Sequence, residues 1–161
     1  MKLIIKLFIK MSIYPYFDEA ILLLYKLNLL QVIFNELSQI TIEEIDELIK
    51  YISFFPKNSP TIAYILELFP TKSILEKLNL CDHLKLSNKE KNFVKELEMW
   101  RTAKNLDNYD WAQIYALSNS HICQAIESIH SNDNDFNKLH NDRREKLEKH
   151  IVRIKEKKTI V

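Results

Sequence analysis

The sequence contains no glycine in 161 residues. At ordinary usage of roughly 7%, a chain this long would hold about eleven. Glycine takes a positive φ without steric cost and lets a backbone approach a ligand closely. Without it, type I′ and II′ hairpin turns are hard to build. Helices joined through Asn, Ser and Pro turns need it least. The chain is therefore expected to be all-α, a layered multi-helix bundle with a charged C-terminal helix. The same absence excludes Walker, Rossmann and nucleophile-elbow loops, each of which needs glycine for its geometry.

An apolar share of 47% is enough for a real core. The net charge of +1 gives no global field for a polyanion. The charge is uneven, however. Residues 138–158 carry nine Lys/Arg against four Asp/Glu, so the chain ends in a local basic arm. Lysine outnumbers arginine 19 to 4, and this bias argues against reading every lysine as functional. The expected organisation is a helical body over 1–131 and a basic helix or arm over 132–161. Cys81 and Cys123 form no CxxC pair and suit a reducing compartment. The opening MKLIIKLFIK superficially resembles a signal peptide, but Lys6 and Lys10 interrupt its apolar run. Up to residue 35 the longest uncharged run is nine residues, Leu27–Asn35, whereas a membrane span needs about 18. A cytoplasmic chain without a membrane partner is the expectation.

Helical punctuation is frequent. Residues 2–11 read as a short helix stopped by Pro15, and 17–28 and 29–36 as apolar segments with a turn near Asn28. Their apolarity on most sides predicts central burial. Thr41 and Glu44 have capping-box spacing, as do Ser87 and Glu90. Pro56 is expected to end the first of these helices. Ser59-Pro60 predicts a cap with proline at the first helical position. That helix should run to about Phe69, and Thr71 should cap a short helix through Leu78. Phe93, Val94, Leu97 and Trp100 mark a core face after Ser87. Helices are expected near 109–117 and 119–130, then a polar linker at 131–135 and a long charged helix over about 136–157.

Several side-chain groups are candidate sites. Cys81-x-His83 and His121-x-Cys123 have zinc-ligand chemistry, but the spacing is not that of a finger, so no metal and no cofactor are expected. Glu43, Glu44, Asp46 and Glu47 fit a solvated first helical turn better than acid–base chemistry. Trp100 and Trp111 read as core. Tyr109 is more open and lies near Lys95, Arg101 and Lys104, where an aromatic between cations can stack a base while the cations neutralise phosphates. Arg143, Arg144, Lys146, Lys149, Arg153, Lys155, Lys157 and Lys158 populate the last helix. They suit phosphate contact or, equally, a solvated face laced by pairs such as Glu145–Lys149.

Lys2-Leu-Ile-Ile-Lys-Leu-Phe8, Pro15 and the run Glu19-Ala-Ile-Leu-Leu-Leu-Tyr-Lys-Leu-Asn-Leu-Leu-Gln-Val-Ile-Phe-Asn-Glu-Leu37 resemble one family segment. It is the stretch just after the catalytic head in bacterial tRNA nucleotidyltransferases (CCA-adding enzymes) and poly(A) polymerases of the same class. Leu84-Lys-Leu-Ser-Asn-Lys-Glu-Lys91 is similar to that family's Ser-Asn-Lys-Glu helix start. Asn28 and Asn35 stand where the family often has Gly and Pro. The head's Gly-Gly…Arg-Asp and Asp-x-Asp motifs have no counterpart in these residues. The resemblance thus implies a helical body and tail, from a truncated or split gene, that grips tRNA but is not itself an enzyme. The expected RNA contacts are Lys89, Lys95, Arg101, Lys104, Tyr109, Arg143, Arg144, Lys146, Lys149 and Arg153. The alternative is a protein-interaction module whose apolar first 34 residues cover a partner, such as a separately encoded nucleotidyltransferase head. That alternative requires an exposed apolar surface on the N-terminal helices.

Overall fold

The computed structural model of the chain describes residues 2–116, 120–131 and 134–160, without the side chains of 2, 4, 104, 134–137, 159 and 160. Among the described residues there are helices and turns but no strand, so the fold is all-α. Chain contacts divide into two compact units, Met1–Lys91 and Asn92–Val161. The boundary placed at residue 131 on composition lies inside the second unit. None of the described helices is long and apolar enough to cross a membrane.

The first unit holds α1 (Lys2–Ser12), α2 (Phe17–Lys26), α3 (Leu29–Ile33), α4 (Ile42–Ile49), α5 (Thr61–Leu66) and α6 (Ile74–His83), with single 3-10 turns at Asn35–Leu37 and Ile52–Phe54. The helix α7 (Asn88–Arg101) starts in this unit's sequence and runs past its boundary. All six residues of α5 are buried. Its Ile-Ala-Tyr-Ile-Leu run is apolar on every face, the pattern of a helix surrounded by protein. Around it, Phe8 meets Phe17 at 6.1 Å and Phe34 at 5.9 Å, and Phe34 meets Phe69 at 5.3 Å. Tyr64 meets Phe17 at 5.2 Å and Phe55 at 5.3 Å, which closes the aromatic cluster. Thr61 and Lys77 are the buried polar residues of this unit among those described.

Two expectations are corrected here. The segments 17–28 and 29–36 are not the buried centre. Phe17, Ile21, Leu30 and Phe34 point inward, but Leu23, Leu27, Leu29 and Val32 are exposed. With ten and five residues, α2 and α3 seat one face each, and the chain's Leu/Ile bias leaves apolar residues on the other. The second correction concerns caps. The Thr41–Glu44 box forms as read, with reciprocal bonds of 3.1 and 3.2 Å, and so does Ser87–Glu90, at 2.9 and 3.4 Å. At α6, however, the box is Ser73–Glu76, at 2.8 and 3.3 Å, and the helix runs to His83. Ser73 has a glutamate three residues on, whereas Thr71 has Ile74 there and cannot complete the box. The Ser59 hydroxyl instead donates to the Pro56 carbonyl at 2.6 Å, so the cap residue of α5 is Pro60 and the helix ends at Leu66.

The second unit contains the rest of α7, a 3-10 turn at Ala103–Asn105, α8 (Asn108–Tyr115), α9 (Ser120–Ser131) and α10 (Asn134–Ile160). Asp107 caps α8 by accepting from the Asp110 N–H at 2.8 Å. The helix α10 packs along α8, α9 and the 3-10 turn. The predicted face Phe93, Val94, Leu97 and Trp100 is buried, and Trp111 is fully buried beside it. The Trp100 and Trp111 rings meet edge-on at 6.0 Å, and Tyr115 stacks on Trp111 at 5.1 Å. Of the linker expected at 131–135, Ser131 ends α9 and Asn134 starts α10, while 132 and 133 lie outside the described residues.

Candidate nucleic-acid interface

The placement of the cations follows from one stripe on α10. His140, Arg143, Leu147, His150, Ile151 and Ile154 recur at helical spacing and are buried or half-buried. They form the seam by which a strongly charged helix docks. His140 is fully buried, and the indole Nε1–H of Trp111 donates to its Nδ1 at 2.8 Å. Burial, reinforced by the nearby Arg143 guanidinium, pushes the His140 pKa down to about 4. Its ring is therefore neutral at pH 7 and able to accept that bond.

This seam separates the basic residues into engaged and free groups. Arg143 donates to the carbonyls of Ala103 at 3.2 Å and Leu106 at 2.8 Å, and lies 6.0 Å from the Trp111 ring centre. It serves the end of the 3-10 turn, where backbone carbonyls attract a cation. Arg144 is held by the Tyr115 hydroxyl, which raises its pKa. Glu145 and Glu148 line the same recess, and Lys155 sits 5.9 Å over the Tyr115 ring. Arg101 lies 3.5 Å from Glu98 and 3.6 Å from Glu127. Lys89, Lys95, Lys146 and Lys149 are exposed, and among the described residues Glu145 makes no ion pair to Lys149. The side chain of Lys104 lies outside the described residues.

Two of the sequence's candidates, Tyr109 and Arg153, line one groove of about 650 Å³ between α8 and the end of α10. Gln113, His150, Ile154, Lys157 and Lys158 complete its walls. Tyr109 and Gln113 are one turn apart on α8. His150, Arg153, Ile154, Lys157 and Lys158 fall on one face of α10. The Tyr109 and His150 rings lie 5.8 Å apart, and Tyr109 is 61% exposed. No carboxylate lines the groove, and Arg153, Lys157 and Lys158 carry no ion pair among the described residues. The arrangement offers an open aromatic platform with unneutralised cations beside it. Lys157 and Lys158 belong to the basic arm expected from sequence, whereas Gln113 and His150 were not among the expected contacts. Their signal was spacing: one turn after Tyr109 and one turn before Ile154.

The other candidates do not assemble. Burial pushes the Cys81 thiol up to about 11 and the Cys123 thiol up to about 12. Both thiols are therefore protonated at neutral pH in the metal-free chain. Among the described residues no group of three or more His, Cys, Asp or Glu could hold a metal ion. Glu43, Glu44, Asp46 and Glu47 are exposed; Glu44 serves the cap and Glu47 pairs with Lys50. The first unit has a cavity of about 470 Å³ lined by Phe17, Phe55 and Tyr64, with Lys57 as its one basic wall residue. Comparison of the chain with family models, curated proteins and solved structures finds no match.

Proposed function

We propose that this chain is a noncatalytic RNA-binding protein, a body-and-tail relative of the CCA-adding enzymes whose ligand is tRNA. The observation that carries the reading is the groove in which Tyr109, Arg153, Lys157 and Lys158 converge with no carboxylate among its lining residues. Unpaired cations flanking an exposed ring match the two forces that hold RNA, counterion release at phosphates and stacking on bases. A smaller observation supports the ancestry. Asn28 has φ 58°, so the position where the family often carries glycine is left-handed in this chain. Asparagine is among the few other residues that visit that region readily.

Titration of labelled tRNA at low salt tests the reading. Binding is expected to weaken steeply with salt, because each neutralised phosphate releases counterions. No binding at low salt overturns it.

A second reading is favoured by a separate observation. Ten large apolar residues between Leu3 and Val32 are exposed, among them Leu3 at 84% and Val32 at 80%. In this reading the first unit covers a partner such as a separately encoded nucleotidyltransferase head. Calorimetric titration with such a head should give saturable binding that Val32→Asp weakens. Absence of heat and of a co-sedimenting complex discards it.

A further inference from the structure

We infer that the groove between Tyr109 and the end of α10 takes an unpaired stretch of RNA, with one base stacked on Tyr109 and the flanking phosphates on Arg153, Lys157 and Lys158. The inference rests on the RNA-binding reading and narrows it from RNA in general to a single-stranded segment. Three features of the groove carry the choice. Tyr109 is 61% exposed, and an open aromatic ring can stack an unpaired base, whereas the bases inside a duplex are already stacked on one another. The Gln113 amide and the His150 ring line the same groove and offer hydrogen-bonding groups to the Watson–Crick edge of a base, which a duplex keeps within its pairs. Finally, the cations sit on one wall, at i, i+4 and i+5 from Arg153, with the aromatic pair across from them on α8 and one turn earlier on α10. A backbone following that wall turns its bases toward Tyr109. Duplex recognition instead asks for cations spread across two phosphate rows.

The test is fluorescence anisotropy on the full chain with a labelled single-stranded RNA of about eight nucleotides, within the ordinary site size of such grooves. A hairpin duplex of the same sequence and a whole tRNA serve as the comparison ligands. The single strand should bind at least tenfold tighter than the duplex. Tyr109→Leu should weaken single-strand binding about tenfold, the order expected for one stacked base, without changing the salt slope. Lys157→Ala with Lys158→Ala should flatten that slope by about 0.7 per cation removed. Circular dichroism melts of each variant exclude unfolding as the cause; Lys157→Glu tests the same wall should Tyr109→Leu fail to fold. If tRNA binds but the duplex competes equally, or Tyr109→Leu binds as the parent does, the groove assignment falls and the broader reading stands. If neither tRNA nor the single strand binds, both fall.

Discussion

The two units of this chain fill their interiors with different chemistry. In the first, Phe8, Phe17, Phe34, Phe55 and Phe69 gather with Tyr64 around an apolar α5. Their geometry is set by ring shape and edge-to-face preference. In the second, Trp100 and Trp111 both meet a buried histidine, Tyr115 packs on the two indoles, and an arginine lies against the Trp111 ring. There the rings are positioned by a hydrogen bond and by a protonation state. A cluster of apolar rings tolerates exchange of like volumes, whereas a cluster tied by a buried hydrogen bond punishes loss of a single partner. This contrast shows how α10, the most charged helix of the chain, docks: its seam combines the His140 and Arg143 hydrogen bonds with buried Ile151 and Ile154.

The largest effect should come from breaking that matching. Trp111→Ala should cost about 4 kcal/mol, as for other buried tryptophans, with the His140 acceptor left unfilled. Phe8→Leu, a near-volume exchange in the first unit, should cost about 1 kcal/mol. Urea denaturation of both variants measures the difference. Equal losses would erase the distinction between the two cores.

Acid should separate the units next. His140 has a folded pKa of about 4, below the ordinary 6.5, so its contribution is complete above pH 6.5 and is lost as pH falls toward 4. By linkage the loss amounts to about 3 kcal/mol by pH 4. Phenylalanine has no proton to gain, so the aromatic cluster of the first unit is indifferent to the same change. Urea midpoints between pH 7 and 4 should fall more steeply for the parent chain than for His140→Gln. Parallel pH profiles would show that the buried imidazole is not the sensitive group.

Adjacent cations on α10 give a finer division. Arg143→Ala removes two charge-assisted bonds to the Ala103 and Leu106 carbonyls and should cost about 2 kcal/mol. Arg153→Ala should stay within about 0.5 kcal/mol of the parent, as for other exposed positions. RNA affinity should respond in the opposite sense, with Arg153→Ala losing binding while its melting temperature holds. If the two variants lose stability equally, the division into engaged and free arginines fails.

How far the sequence reaches differs between these features. The all-α fold was legible in the missing glycine, and two of the three capping boxes in their Ser/Thr-x-x-Glu spacing. The third, Ser73–Glu76, has the same spacing but lies two residues after Thr71, another residue able to cap. The burial of Trp100 and Trp111 was readable from residue type, but the role of His140 was not. Nothing local distinguishes a histidine that meets an indole 29 positions away from one on the surface. The candidate groove was half legible. Tyr109 and Arg153 were singled out for chemistry, but their meeting depends on how α8 lies along α10. Local charge could not separate Arg143 and Arg144, both engaged with protein groups, from Arg153.

The smallest effect tests the backbone. Both described residues with positive φ, Asn28 and Lys85, lie in the first unit. Lys85 follows the end of α6 at φ 60°, with its N–H on the Asp82 carbonyl at 3.1 Å and the Leu86 N–H on the Cys81 carbonyl at 3.0 Å. This is a Schellman ending with lysine where glycine is the usual residue. A side chain in that conformation costs roughly 1–2 kcal/mol, part of which a glycine returns as added freedom of the unfolded chain. Lys85→Gly should therefore stabilise the protein by about 1 kcal/mol, and Asn28→Gly by no more than a few tenths, since asparagine tolerates the left-handed region. Thermal denaturation of both variants measures the pair. A loss of stability in Lys85→Gly would mean that the lysine side chain, not the shape of the turn, holds the end of α6.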